Sequence, residues 1–141
     1  METNSFEIDI NATIEKVWLA LTSSFEFNTW MKSVKVQTDW KQGSEITYTC
    51  YDTNGNVVKW DGVDMIWNGK IETLIENKEL TCLYPSKSTG LEKESYFLEK
   101  VNDGKTKLIQ IQILTSKHVA DSYKDGTLQT LQFLKNYLES K

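Results

Sequence analysis

Phe6-Glu7-Ile8-Asp9-Ile10 opens the chain and leads into Thr13-Ile14-Glu15-Lys16-Val17-Trp18-Leu19-Ala20-Leu21-Thr22, and Gly126 through Leu138 closes it. The first segment alternates Phe6, Ile8 and Ile10 against Glu7 and Asp9, the period of a half-buried strand. In the second, Ile14, Val17, Trp18 and Leu21 fall on one helix face. Asn11 or Thr13 can cap that helix, and Glu15 suits its positive end. In the closing segment Leu128, Leu131, Leu134 and Leu138 recur every three or four residues, with Phe133 and Tyr137 beside them. The order is therefore strand, helix, many strands, long helix. A sheet curled against one long helix encloses a hollow, and a hollow is a place for a ligand.

The middle of the chain reads as that run of strands. Ser23-Ser24 ends the first helix, and residues 25–31 form a short aromatic-rich helix or turn. Val34 and Val36 begin a strand, and Lys41-Gln42-Gly43-Ser44 is a turn. Residues 45–51 alternate with Ile46, Tyr48 and Cys50 inward. Asn54-Gly55 is a hairpin turn pair. Residues 57–67 read either as a strand bulged at Asp61-Gly62 or as an irregular loop. Strands follow over residues 69–75 and 80–84, then a loop over 85–90 that holds the only proline. Residues 92–100 and 105–114 form a hairpin around Asn102-Asp103-Gly104, with Ile109, Ile111 and Ile113 expected inward and Gln110 and Gln112 outward. Residues 115–122 are expected to link, with helix from about Ser122.

Composition narrows the function. The 141 residues fit one domain, expected over 1–141, with 39% hydrophobic and 26% charged residues as in ordinary globular proteins. The net charge of −4 disfavours a nucleic-acid partner. All sixteen basic residues are lysine, so a rigid bidentate site for phosphate or carboxylate is not expected. No apolar run reaches the roughly 20 residues of a membrane span, and the N-terminus lacks a secretory pattern, so a cytoplasmic protein without membrane insertion is expected. Cys50 and Cys82 then read as buried free thiols.

No motif names a reaction. One histidine and two separated cysteines do not make a zinc site. Neither a phosphate loop nor a dinucleotide fingerprint is present, so no metal and no cofactor is expected. His118 reads as a solvated loop residue before the closing helix, with general base at a cavity mouth as the sharper alternative. Ser116, His118 and Asp121 are too close in sequence to suggest a positioned triad. Five tryptophans lie in the first half, and Trp60 and Trp67 flank the uncertain segment, where they suit a lid or a dimer interface.

Several segments together resemble a known family. They are residues 14–22, Trp30, residues 40–48, Asn68-Gly69-Lys70-Ile71-Glu72, residues 77–84, Tyr96-Phe97-Leu98-Glu99, residues 104–108, and the tail from Gly126 to Leu138. In order and spacing they are similar to the bacterial START-like proteins of the Bet v 1-like superfamily, in the branch named after the activator of Hsp90 ATPase. The resemblance implies an α+β helix-grip fold: six or seven antiparallel strands wrapped around the C-terminal helix, with two short helices at one end. It implies a cavity that takes an apolar or amphipathic small molecule. With Leu98 facing the core as the family pattern implies, Glu94 and Tyr96 point into the hollow, where a carboxylate can serve as acid, base or polar anchor. Tyr48, Tyr84, Ile111, Thr127, Thr130 and Leu131 complete the expected lining. The leading expectation is a binding protein. Acid–base catalysis at Glu94, Tyr96 or His118 is the alternative, and a chaperone-regulator module or a homodimer a third.

Overall fold

Nine strands and three helices follow from these patterns in the computed structural model, which describes residues 1–140. Strand β1 (Glu2–Ile10) runs into helix α1 (Ile14–Thr22), capped by Thr13, whose hydroxyl accepts from the Lys16 amide at 3.3 Å. Ser23 caps α2 (Ser24–Trp30) in the same way. Then come β2 (Val34–Gln37), β3 (Glu45–Cys50), a two-residue hairpin of β4 (Lys59–Trp60) and β5 (Val63–Asp64), and β6 (Ile66–Ile75). Strands β7 (Glu79–Leu83), β8 (Leu91–Asn102) and β9 (Lys105–Leu114) lead to the closing helix α3 (Lys117–Glu139).

Seven strands form one antiparallel sheet in the order β1-β9-β8-β7-β6-β3-β2. Register shifts between Ile71 and Thr73, Leu91 and Lys93, and Lys100 and Asn102 bend and twist it. The curled sheet grips α3 in its concave face, and α1 and α2 close one end: an α+β helix-grip fold. The apolar stripe of α3 buries Ala120, Leu131, Leu134 and Leu138 in one core cluster with Ile10, Leu80, Leu98, Leu108 and α1 residues Val17 and Leu21. Burying each of these leucines contributes roughly 1.5–3 kcal/mol. Trp30 Nε1 donates to the Ala20 carbonyl at 2.9 Å and locks α2 to α1. At the far end of α3, Lys135 Nζ donates to the Asp9 carbonyl at 2.7 Å.

Four expectations are corrected. Helix α3 begins at Lys117, not near Ser122, because the Ser116 hydroxyl accepts from the Val119 amide at 3.3 Å and supplies an N-cap. Asp125-Gly126 therefore lies inside the helix, and His118 in its first turn. Leu128, expected on the buried stripe, is 54% exposed. On β9 the faces are reversed: Gln110 and Gln112 are buried with Thr106, Leu108 and Leu114, while Ile109, Ile111 and Ile113 lie half-buried on the convex side. Alternation identifies two faces, but hydrophobicity chose the wrong one because the concave face is polar at these two positions. Residues 57–67 resolve as the β4–β5 hairpin followed by the start of β6.

Candidate functional site

Between the concave sheet and the first half of α3 the packing leaves a cavity of about 420 Å³, within the size range of small-molecule sites. Its walls are mainly apolar and aromatic. Phe27 and Met31 come from α2, Tyr48 and Cys50 from β3, Trp60 and Met65 from the hairpin region, and Trp67 from β6. Tyr84 and Leu91 flank the loop after β7, and Thr127, Thr130 and Phe133 descend from α3. Phe27 meets Tyr48 edge-on at a centroid distance of 5.4 Å. At the rim Trp60 stacks on His118 at 5.9 Å, which joins the hairpin to the first turn of α3.

A band of polar residues crosses this apolar chamber. Strand register places Cys82, Glu94, Gln112 and Asn4 side by side across β7, β8, β9 and β1. The neighbouring row is Leu80, Tyr96, Gln110 and Phe6. Glu94 Oε2 accepts from Gln110 Nε2 at 2.8 Å and from Gln112 Nε2 at 3.0 Å, and Oε1 accepts from the Tyr96 hydroxyl at 3.2 Å. Gln112 Nε2 also donates to Thr127 Oγ1 at 2.9 Å, and its Oε1 accepts from Asn4 Nδ2 at 3.3 Å. Asn4 Nδ2 in turn donates to the Ala120 carbonyl at 2.9 Å. The polar band thus seats α3 on the sheet and holds Glu94 in place.

The electrostatics follow from burial. Desolvation pushes the Glu94 carboxyl above its ordinary value, and the hydrogen bonds from Gln112, Gln110 and Tyr96 oppose that rise without cancelling it. Desolvation likewise raises the Tyr48, Tyr84 and Tyr96 hydroxyls, with neighbouring anionic groups adding to it. These tyrosines therefore remain protonated donors. The Cys82 thiol is pushed up to about 12 by burial and then by Glu94. Both cysteines are free, Cys82 buried and Cys50 half-buried. On the helix side, Trp67 Nε1 donates to the Tyr123 hydroxyl at 3.0 Å, and that hydroxyl donates to the Thr89 carbonyl at 2.8 Å. This relay fixes one wall of the cavity.

Of the residues expected in the lining, Tyr48, Tyr84, Glu94, Tyr96, Thr127 and Thr130 are brought together around the cavity. Ile111 is not: it points to the convex face with Ile109 and Ile113. Leu131 is 4% exposed and belongs to the apolar core rather than the cavity wall. Gln110 and Gln112 were expected outside and stand at the centre of the site. The readable signal was their phase, since they share a face with Leu108 and Leu114. Tyr123 and Phe133 were also missed as lining residues. Ser116, His118 and Asp121 form no triad: Asp121 pairs with Lys117 and Lys124, and His118 stacks on Trp60. Among the described residues no group of three or more His, Cys, Asp and Glu is placed to hold a metal ion. No helix among them is long and apolar enough to cross a membrane.

A curved antiparallel sheet that grips a long C-terminal helix, with two short helices at one end, defines the class of helix-grip proteins. Within that class, residues 11–139 match the family described as Activator of Hsp90 ATPase homolog 1-like protein, and the chain belongs to it. Solved structures share the fold at low sequence identity. A protein of Cytophaga hutchinsonii is 24% identical with a TM-score of 0.70, covering 99% of this chain and 95% of its own. The Aha1 dimer from Colwellia psychrerythraea is 23% identical with a TM-score of 0.72, covering 99% and 97%. The AHSA1-like protein from Aeromonas hydrophila is 16% identical with a TM-score of 0.76, covering 99% and 93%. No curated protein matches the chain.

Proposed function

We propose that this protein binds an apolar or amphipathic small molecule in the cavity between the sheet and α3. The observation that carries the proposal is the cavity itself: about 420 Å³ of partly open space walled by aromatic and aliphatic side chains between the sheet and α3. Protein interiors are normally filled to the density of organic crystals. Water in such a space meets apolar walls, and an apolar occupant that displaces it removes that surface from water. The convergent polar groups at Glu94 and Tyr96 are what fixes a ligand's orientation in such sites.

The test is titration with N-phenyl-1-naphthylamine, a neutral apolar fluorophore, combined with native mass spectrometry of protein purified from cells. Saturable enhancement at one probe per chain is expected, with quenching of tryptophan emission through Trp60 and Trp67. Tyr96→Trp fills the chamber from β8 and is expected to abolish probe binding while the thermal transition remains cooperative. No saturable binding by the wild-type protein, together with a mass free of any retained molecule, would overturn the proposal.

A further inference from the structure

The polar end of the cavity has a definite chemical preference. Among the described residues that line it, Glu94 is the one carboxylate, and no lysine or histidine accompanies it. The nearest neighbours of that carboxylate are two amides and a phenol, so nothing on the wall neutralises an incoming anion. The hydrogen-bond ledger is unbalanced in one direction. Glu94 accepts three bonds, whereas an ionised carboxylate has about four acceptor positions. Gln112 uses its amide nitrogen twice and its carbonyl once. Gln110, 4% exposed and turned to the same cavity, donates to Glu94 and to Tyr96, yet its Oε1 has no partner. It is the one buried side-chain polar atom left without a partner among the described residues. What this end of the chamber lacks is a donor.

We infer that the floor formed by Glu94, Gln110 and Tyr96 is a donor-recognition subsite, which takes the protonated amine or hydroxyl head of an apolar ligand and rejects a carboxylate head. The inference rests on the cavity-binding reading above and specifies its ligand class. A head with hydrogen-bond donors can fill the remaining acceptor position of half-buried Glu94, beside the unpartnered Gln110 Oε1. An amine gains a charge-assisted bond in a desolvated place, where such bonds are strongest. A carboxylate of the same length meets a like charge and an orphaned acceptor, both unfavourable. Fatty acids and other anionic lipids are therefore poor ligands despite the apolar walls.

The experiment displaces N-phenyl-1-naphthylamine with decylamine, decanol and decanoate, which share one chain and differ in the head. Decylamine and decanol are expected to displace the probe at concentrations at least about tenfold below decanoate, a gap of roughly 1.4 kcal/mol. The net charge of −4 favours any amine over any acid, so Glu94→Gln is the deciding arm. This variant is expected to narrow the amine-to-carboxylate ratio by about tenfold. Equal displacement by decanoate in the wild-type protein, or an unaltered ratio in Glu94→Gln, overturns the subsite and leaves the cavity reading standing. Failure of the probe itself to bind overturns the cavity reading, and the subsite falls with it.

Discussion

Replacing Glu94 by Gln tests whether burial or hydrogen bonding governs this carboxyl. In the folded protein desolvation is the larger influence, and the carboxyl is held above its ordinary value of 4.5. The sign follows from linkage. Well below that ordinary value both the folded and the unfolded chain carry the proton, and the group contributes no pH dependence. As pH rises, the unfolded chain releases its proton first while the folded chain retains it. Stability then falls with pH, by at most about 1.4 kcal/mol per pH unit for one proton, until the folded carboxyl also ionises. Glutamine does not titrate. Its carbonyl can still accept from Gln110 and Gln112, and its amide nitrogen can face the Tyr96 hydroxyl or Gln110 Oε1. The offset between the two proteins at low pH should therefore lie within about 1 kcal/mol of zero. Urea denaturation at several values between about pH 3 and pH 9 measures the difference directly. The variant is expected to gain on the wild type as pH rises and then level off. A difference that stays flat, or a variant that loses ground as pH rises, would show that the three hydrogen bonds outweigh desolvation, and would refute the reasoning.

Three further outcomes follow from packing and burial. Gly69→Ala should cost about 1–3 kcal/mol in denaturant unfolding, because the added Cβ would press on the Leu83 carbonyl and lie 2.8 Å from the Tyr84 ring; an unchanged midpoint would show that β6 and β7 yield there. Gly126→Ala should stabilise by about 0.8–1 kcal/mol, since this glycine sits inside α3 with nothing near the position of a new Cβ. Because Gly126 also lines the cavity, the same change should weaken probe binding, and thermal melts with and without probe read both effects. Cys82, with its thiol pushed up to about 12, should resist a thiol reagent near neutral pH in the folded protein and react once denatured, whereas half-buried Cys50 reacts first; mass mapping of labelled peptides distinguishes them.

The fold was legible because its elements obey local rules that tertiary packing did not override. Residues 6–10 and 45–50 alternate cleanly, and Val17, Trp18 and Leu21 share the helical face that is buried. Where legibility failed, a different physical rule prevailed. A cap decides where a helix begins, and Ser116 starts α3 well before its leucines begin at Leu128. The hairpin at residues 59–64 is set by positive φ at Asp61 and Gly62, which apolar periodicity does not encode. The site was half legible. Tyr48, Glu94 and Tyr96 sit on strands, and Tyr84 just beyond the end of one, whose inward phase is marked by Ile46, Leu98 or Leu80. Gln110 and Gln112 were hidden by the isoleucines that alternate with them, because hydrophobic assignment presumes that the inner face is the apolar one.

That exception carries the functional argument. Leu108, Gln110, Gln112 and Leu114 occupy one side of one strand, and the two leucines are fully enclosed. Two more leucines between them would continue the core without any desolvation cost, and buried polar networks are frequently no more stable than such replacements. The glutamines instead bring the need for partners on β8 and α3. One of them, Gln112, meets that need within the protein through Asn4, Glu94 and Thr127. The other, Gln110, borders the cavity and leaves a buried acceptor unanswered. Departures from core rules concentrate at functional sites, and here the departure occurs on the residues of β9 that border the chamber. Gln112 spends its polar groups on seating α3, whereas Gln110 and Glu94 form a polar floor under an otherwise apolar and aromatic chamber, and the proposed ligand is what would meet that floor.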